Sequence, residues 1–348
     1  MNQRTLIALT CAFVVFTSLA IIGQRGQEAS NPTSTVFLGG LIAELDSINL
    51  IELSIGGNET IATIEREETG WTLAQRNGYL ANEQKINRML LSLAEARIIE
   101  AKTANPEWHY RLGVESVDID NANGVAVRLT GPDLTIKVII GDDAGEGQVY
   151  ARKIDEDQSY LIDSDPEVGN SVTDWLDTNI LSIATNRIQQ VKIQHSDGET
   201  LIIAKEGPDQ TNFVVSDIPV NRELRYESIA NTVGNTLSDL SLQDVEMVSD
   251  SRGQSTLTEF LTFDGLVITA ESANVNGSDW VTFSVGYSSP DNLEEEQSIS
   301  ENAVEVEAEA LRLSEKLSGW RYRIPTYQFD QLIKRMEDLL APLPEESS

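Results

Sequence analysis

The feature that most constrains this chain is a pattern of alternating residues written twice. Residues 48–66 read INLIELSIGGNETIATIER, with apolar Ile48, Leu50, Ile51, Leu53 and Ile55 before a Gly56-Gly57-Asn58 break, and Ile61 and Ile64 after it. Alternation on both sides of a Gly/Asn cluster predicts a β-hairpin, because a strand turns every second side chain to one face and the turn favours residues tolerant of positive φ. Residues 188–206 repeat it as IQQVKIQHSDGETLIIAKE. Ile188 stands at the place of Ile48, Val191 at Ile51 and Ile193 at Leu53, and Asp197-Gly198-Glu199-Thr200 falls where Gly57-Asn58-Glu59-Thr60 did. One β-led unit used twice is the expectation.

The segments that follow each copy keep one order. After the first come short strands at Gly70-Trp71-Thr72-Leu73 and Gly78-Tyr79-Leu80, then a helix predicted from Ile86, Met89, Leu90, Leu93 and Ala94, with Asn82 as its N-cap. Ile98 to Ala101 suggests a strand, and Asn105-Pro106-Glu107 starts a short helical turn that Gly113 closes. A hairpin over Gly131-Pro132-Asp133, strands near Val149–Lys153 and Tyr160–Ile162, and a short helix over Pro166–Trp175 complete the first copy.

In the second copy Phe213-Val214-Val215 takes the place of Trp71, and Ile229, Val233, Leu237 and Leu240 predict the helix. A strand at Val245–Val248, a hairpin across Asp264-Gly265 and a strand at Trp280–Val285 follow; Trp320 stands in the place of Trp175, and Phe329 to Leu340 predict one closing helix. An insertion, Asp291 to Ala310, carries eight acidic residues and no basic one, and reads as a mobile loop or a solvated helix face.

The address comes from the N-terminus. Thr5 to Ile22 is an uncharged apolar run, about 27 Å long as a helix and close to what a bilayer core demands. Arg4 precedes it, and no Lys or Arg occurs between Arg25 and Arg66, so the positive-inside rule puts the N-terminus in the cytoplasm and the rest outside. The rival reading is a cleaved signal peptide, since Ser18-Leu19-Ala20 fits a small-x-small site; Ile21 and Ile22 carry the apolar run past it. Cys11, the single cysteine, lies within this run, so no intrachain disulfide is available.

The expected fold is α+β: two tandem repeats of antiparallel β-sheet with packed helices, after one N-terminal transmembrane helix. The expected division is an anchor over 1–25, a flexible linker over 26–35, a first repeat domain over 36–184 and a second over 185–344.

Composition narrows the chemistry. Fifty-six acidic residues against 25 basic give a net charge of -31, which disfavours nucleic acid and anionic lipid surfaces. Two histidines, His109 and His195, and one cysteine leave no Cys/His zinc set, and both histidines read as surface or packing residues. No G-x-S-x-G, Ser-x-x-Lys or P-loop pattern occurs. Gly141 to Gly147 is glycine-rich but acidic and suits a hairpin loop. Asp118 to Gly124 resembles a calcium loop yet places Ala122, Asn123 and Leu129 at three positions the motif needs. No catalytic, cofactor-binding or metal-binding residue is nominated, and no cofactor.

The Gly70-Trp71 pair, Tyr79-Leu80-Ala81, Glu100-Ala101-Lys102-Thr103-Ala104-Asn105-Pro106-Glu107 and Leu112-Gly113-Val114-Glu115, with Tyr150-Ala151-Arg152 and Trp175-Leu176-Asp177, resemble the bacterial family catalogued as domain of unknown function 4340. The resemblance implies a membrane-anchored envelope protein whose partners are subunits of an ABC-type export system, and it carries no catalytic residue. The leading expectation is a non-enzymatic auxiliary or scaffolding component in the periplasm, held to the inner membrane by residues 5–22. The alternative is a glycan- or peptide-binding module, its groove lined by Trp71, Tyr79, Trp108 or Trp280. A carboxylate-dependent hydrolase is the third reading.

Overall fold

The computed structural model describes residues 35–248, 254–289 and 301–343, with backbone alone at 301 and 302. The apolar run 5–22 and almost all of the linker lie outside the described residues; among those described, no helix is long and apolar enough to cross a membrane. The chain clusters into two compact units, 1–63 with 84–170 and 64–83 with 171–348. Both are dominated by antiparallel sheet with a few helices, an α+β architecture.

The predicted hairpin is β1 (Leu50–Ile55) and β2 (Glu59–Glu67). The last residues of β2 belong to the second unit, as do β3 (Gly70–Leu73) and β4 (Tyr79–Leu80), which pair in turn behind them. Arg76 between them lies 2.7 Å from Asp244, and the Tyr79 ring meets Trp320 edge-on at 5.1 Å. The helix Glu83–Glu95 then leads through the first unit to β5 (Ile98–Ala101), β6 (Val125–Thr130), β7 (Thr135–Gly145), β8 (Gln148–Lys153) and β9 (Ser159–Ile162). Its stripe of Ile86, Met89, Leu90, Leu93 and Ala94 is buried, as the spacing requires.

The second unit continues with β10 (Asn179–Leu181), β11 (Ile188–Gln194), β12 (Thr200–Ala204), β13 (Val214–Val215), β14 (Leu240–Ser241) and β15 (Asp244–Met247). It closes with β16 (Ser255–Thr262), β17 (Leu266–Val275), β18 (Ser278–Tyr287) and β19 (Trp320–Arg323). Within the first unit the hydrogen-bonded order is β2-β1-β6-β7-β8-β9-β5; within the second it is β12-β11-β16-β17-β18-β19-β15. The two orders are the same order.

Register carries the identity down to single residues. Leu53 faces Val127, which faces Val138; Ile193 faces Thr258, which faces Ala270. Ile51 and Val191 head the parallel rows Leu129–Ile136 and Phe260–Ile268. Ile48, Ile51, Leu53, Ile188, Val191 and Ile193 are all buried, each contributing about 1.5–3 kcal/mol relative to exposure. Where the second row carries Thr258, its hydroxyl donates to the Leu332 carbonyl, so the buried polar group is satisfied.

Several expected elements differ. The helix predicted from Ile229 to Leu240 shrinks to Asn231–Gly234, and Leu240 lies in β14 instead. Asn231, Gly234, Asn235 and Ser238 are weak helix formers, and the Phe213 ring packs where a Cβ on Gly234 would stand. Pro166–Trp175 yields only a 3-10 turn, Val172–Trp175, boxed by Ser171 and Asp174. The closing helix is two, Thr326–Leu332 and Met336–Leu339, because Arg335 is extended and its N–H donates to Asp338 (3.0 Å). Trp320 opens β19, the counterpart of β9 rather than of Trp175. From residue 301 the acidic insertion takes the second of its two expected forms, a helix, Glu301–Leu317, with Glu305 and Glu307 exposed. Val306, Ala310 and Leu317 recur on one face and bury against β18, while Glu309 forks onto Arg187.

Candidate functional site

The turn Pro106–Arg111 in the first unit brings together the largest exposed aromatic groups among the described residues of that unit. Asn105 caps it, its Oδ1 accepting from the Glu107 N–H at 3.1 Å, and Pro106 supplies a preset φ at the first position. The turn is 3-10, three residues per revolution, so side chains at i and i+3 eclipse. Trp108 and Arg111 therefore share one outward edge, with the guanidinium carbon 5.4 Å from the indole centroid. Arg111 also lies 5.7 Å from the Tyr110 ring centre, and its Nε donates to the Tyr110 hydroxyl at 3.2 Å. Trp108 is 52% exposed and Tyr110 57%.

His109, between them, points the other way. It is buried and its Nε2 lies 2.8 Å from the Asp157 carbonyl oxygen, so it pins the turn to the loop after β8. His109 is a packing residue, as expected. Beyond the turn, Leu112, Gly113 and Val114 cross the sheet at close range: the Asp142 N–H donates to the Leu112 carbonyl at 2.9 Å. A Cβ on Gly141 would collide with that same Leu112 carbonyl oxygen, so the crossing requires glycine there. Arg152, buried under the crossing, donates to the carbonyls of Val114 (2.8 Å) and Glu156 (2.9 Å). Burial pushes its guanidinium below the ordinary arginine value, opposed by the nearby carboxylates of Asp157 and Glu115. An exposed Trp–Arg–Tyr group thus rides on a turn fastened from beneath. Large rigid aromatics and arginine are the side chains that dominate protein interfaces, and a prefixed turn avoids the ordering cost of binding.

Of the aromatic residues nominated for a groove, Trp108 alone is exposed. Trp71, Tyr79 and Trp280 are buried in the second unit, with Arg66 over Trp71 and Arg321 over Trp280. Burial also raises the Tyr79 and Tyr322 hydroxyl pKa values well above that of an ordinary phenol. His195 is buried between the Thr256 hydroxyl (3.2 Å) and the Lys334 carbonyl (3.3 Å). Of the stretch expected as a hairpin loop, Gly141 to Gly145 extend β7, and Glu146 and Gly147 alone make the turn into β8. Asp118 and Asp120 are exposed in a loop stitched to the β1–β2 turn, and among the described residues no group of three His, Cys, Asp or Glu side chains is placed to hold a metal ion.

As a candidate binding residue the sequence nominated Trp108 but not Arg111 or Tyr110, and Arg152 entered only through the family resemblance. The signal was the run Trp108-His109-Tyr110-Arg111 after an Asn-Pro start, which a three-residue period sorts into outer and inner faces. The sequence model of the family described as Domain of unknown function (DUF4340) matches residues 71–259, a stretch that includes this turn. No curated protein and no solved structure matches the chain.

Proposed function

The chain belongs to the DUF4340 family, and from that premise we propose that it is a non-enzymatic auxiliary or scaffolding component of the bacterial cell envelope. In this reading residues 5–22 span the inner membrane, the two units project into the periplasm, and the partner is a subunit of an ABC-type export system. The observation that carries it is the Trp108–Arg111–Tyr110 group, exposed on a turn that His109, Arg152 and the Leu112 crossing hold still. The membrane part is supported by the apolar run and the absence of Lys and Arg from 26 to 65. The transporter part is supported by the family resemblance. Tethering beside a membrane partner raises the effective concentration of a modest contact surface.

Affinity purification of the full-length chain from crosslinked membranes tests the proposal. Transporter subunits should co-purify with the parent chain and be lost with Trp108→Ala/Tyr110→Ala, while the melting profile of the variant stays unchanged. Co-purification that survives the double variant would move the contact surface elsewhere. The second reading, a glycan- or peptide-binding module, is favoured by the same exposed indole; retention of a soluble ligand and no membrane subunit would select it.

A further inference from the structure

A second feature of the first unit lies apart from the Trp108 turn. On the sheet face, Glu52 of β1 stands opposite Arg128 of β6, which stands opposite Lys137 of β7. This row crosses a cleft of about 400 Å³, within the range of small-ligand sites. Ser54, Thr60 and Ser116 bring hydroxyl groups to its rim, and Val117, Ala126 and Ile139 give it an apolar floor.

One wall is fixed by backbone bonds. The Gly57 N–H donates to the Ile119 carbonyl (3.1 Å) and the Asn58 N–H to the Val117 carbonyl (2.8 Å). A Cβ on Gly56 would stand 2.7 Å from the Asp120 carbonyl oxygen, so only glycine permits this approach. The cleft is therefore preformed.

Its charge runs against the chain. Arg128 makes one 3.3 Å contact with Glu52 and keeps half its side chain exposed. The Lys137 ammonium has no hydrogen-bond or ion-pair partner among the described residues, although its backbone carbonyl accepts from the Ile154 N–H. The row is net positive by one in a protein of net charge -31. A planar carboxylate suits the free edge of the guanidinium, with Lys137 as a second cation. A phosphate, nearly doubly charged, would meet the Glu52 carboxylate with one net positive charge to offset it. Glu52 is suited instead to accept from hydroxyl groups, which Ser54, Thr60 and Ser116 also match.

We propose that this cleft binds a small polyhydroxylated carboxylate, of the class of a hexuronic acid unit. In the second unit the row at the same register reads Lys192, Glu259 and Thr269, so the binding belongs to the first unit alone.

Calorimetric titration of the purified full-length chain with D-glucuronate, D-glucose and inorganic phosphate tests it. Glucuronate should bind saturably, with glucose and phosphate each at least about tenfold weaker. Arg128→Met and Lys137→Met should each weaken glucuronate about tenfold or more with unchanged circular dichroism, and Lys192→Met should leave it unaltered. Absence of saturable binding up to about 50 mM glucuronate overturns the proposal. So does phosphate or glucose binding as tightly as glucuronate, or full affinity in folded Lys137→Met.

Discussion

The hairpins β1–β2 and β11–β12 hold the same place in the strand orders of the two units and differ in what holds their turns. In the first, the amides of Gly57 and Asn58 bond to the carbonyls of Ile119 and Val117, backbone to backbone. In the second, Arg335 reaches Asp197 (2.9 Å) and Glu199, and the Met336 N–H donates to Glu199 at 3.1 Å. The same contrast runs along the strands. The buried rows stay apolar at every position but Thr258, which stands where Val127 does, whereas the row Glu52–Arg128–Lys137 becomes Lys192–Glu259–Thr269, with the first two charges inverted. A strand has two faces, and only the buried one is bound by close packing. The buried face is accordingly alike in the two units, and the other face carries different chemistry in each.

The largest expected effect tests whether the buried rows are equivalent. Leu53→Ala and Ile193→Ala should each cost about 2–5 kcal/mol, because both empty a fully buried site in the centre of a sheet. Urea denaturation of the two variants measures it. A loss below about 1 kcal/mol at either position would break the equivalence of the units.

A smaller effect separates them. Gly141 sits three residues beyond Val138, and Ala273 sits three beyond Ala270, the residue at the corresponding place in the second unit. Only the first unit has the Leu112 crossing above this position. Gly141→Ala should therefore cost about 1–3 kcal/mol through forced displacement of backbone. It should also weaken partner capture by Trp108 and Tyr110. Ala273→Gly, with no collision to relieve, should cost only about 0.5–1 kcal/mol. Equal losses in the two variants would show that the crossing does not fasten the turn.

The comparison also explains what the sequence disclosed. Alternation at Ile51–Leu53 and Val191–Ile193 reports a buried face directly, and the 3.6-residue stripe from Ile86 to Ala94 reports the helix Glu83–Glu95. The helix Glu301–Leu317 was masked because its acids outnumber the few residues, Val306, Ala310 and Leu317, that bury. Tertiary context decided the helix after Phe213, where a ring occupies the space above Gly234. The aromatic turn was half legible: Trp108 is visible as a residue type, but four tryptophan and tyrosine candidates look alike until packing hides three of them. The cleft was not legible at all. Glu52 and Arg128 are 76 residues apart, and only strand register places them opposite each other.

The smallest effect concerns the turns themselves. Asp197 is held below its ordinary pKa first by the Glu199 N–H (3.1 Å), then by Arg335, with a weaker contribution from His195. A depressed folded value means that the carboxylate stabilises the turn above the unfolded pKa of 3.8. That contribution is lost as the pH falls from there through the lower folded value. Protection of the Glu199 and Met336 amides from hydrogen exchange, corrected for intrinsic rate, should thus be flat from about pH 7 to pH 5 and decline below about pH 4. The Gly57 and Asn58 amides, bonded to carbonyls that do not titrate, should keep their protection over the same range. Asp197 is exposed, so about 1 M salt should weaken the second turn even at neutral pH, and Arg335→Gln should reduce the acid dependence without removing it, because the Glu199 N–H still favours the Asp197 carboxylate. An equal acid loss at Gly57 and Asn58 would mean that backbone and charge hold these turns in the same way, and the contrast between the units would end at their exposed rows.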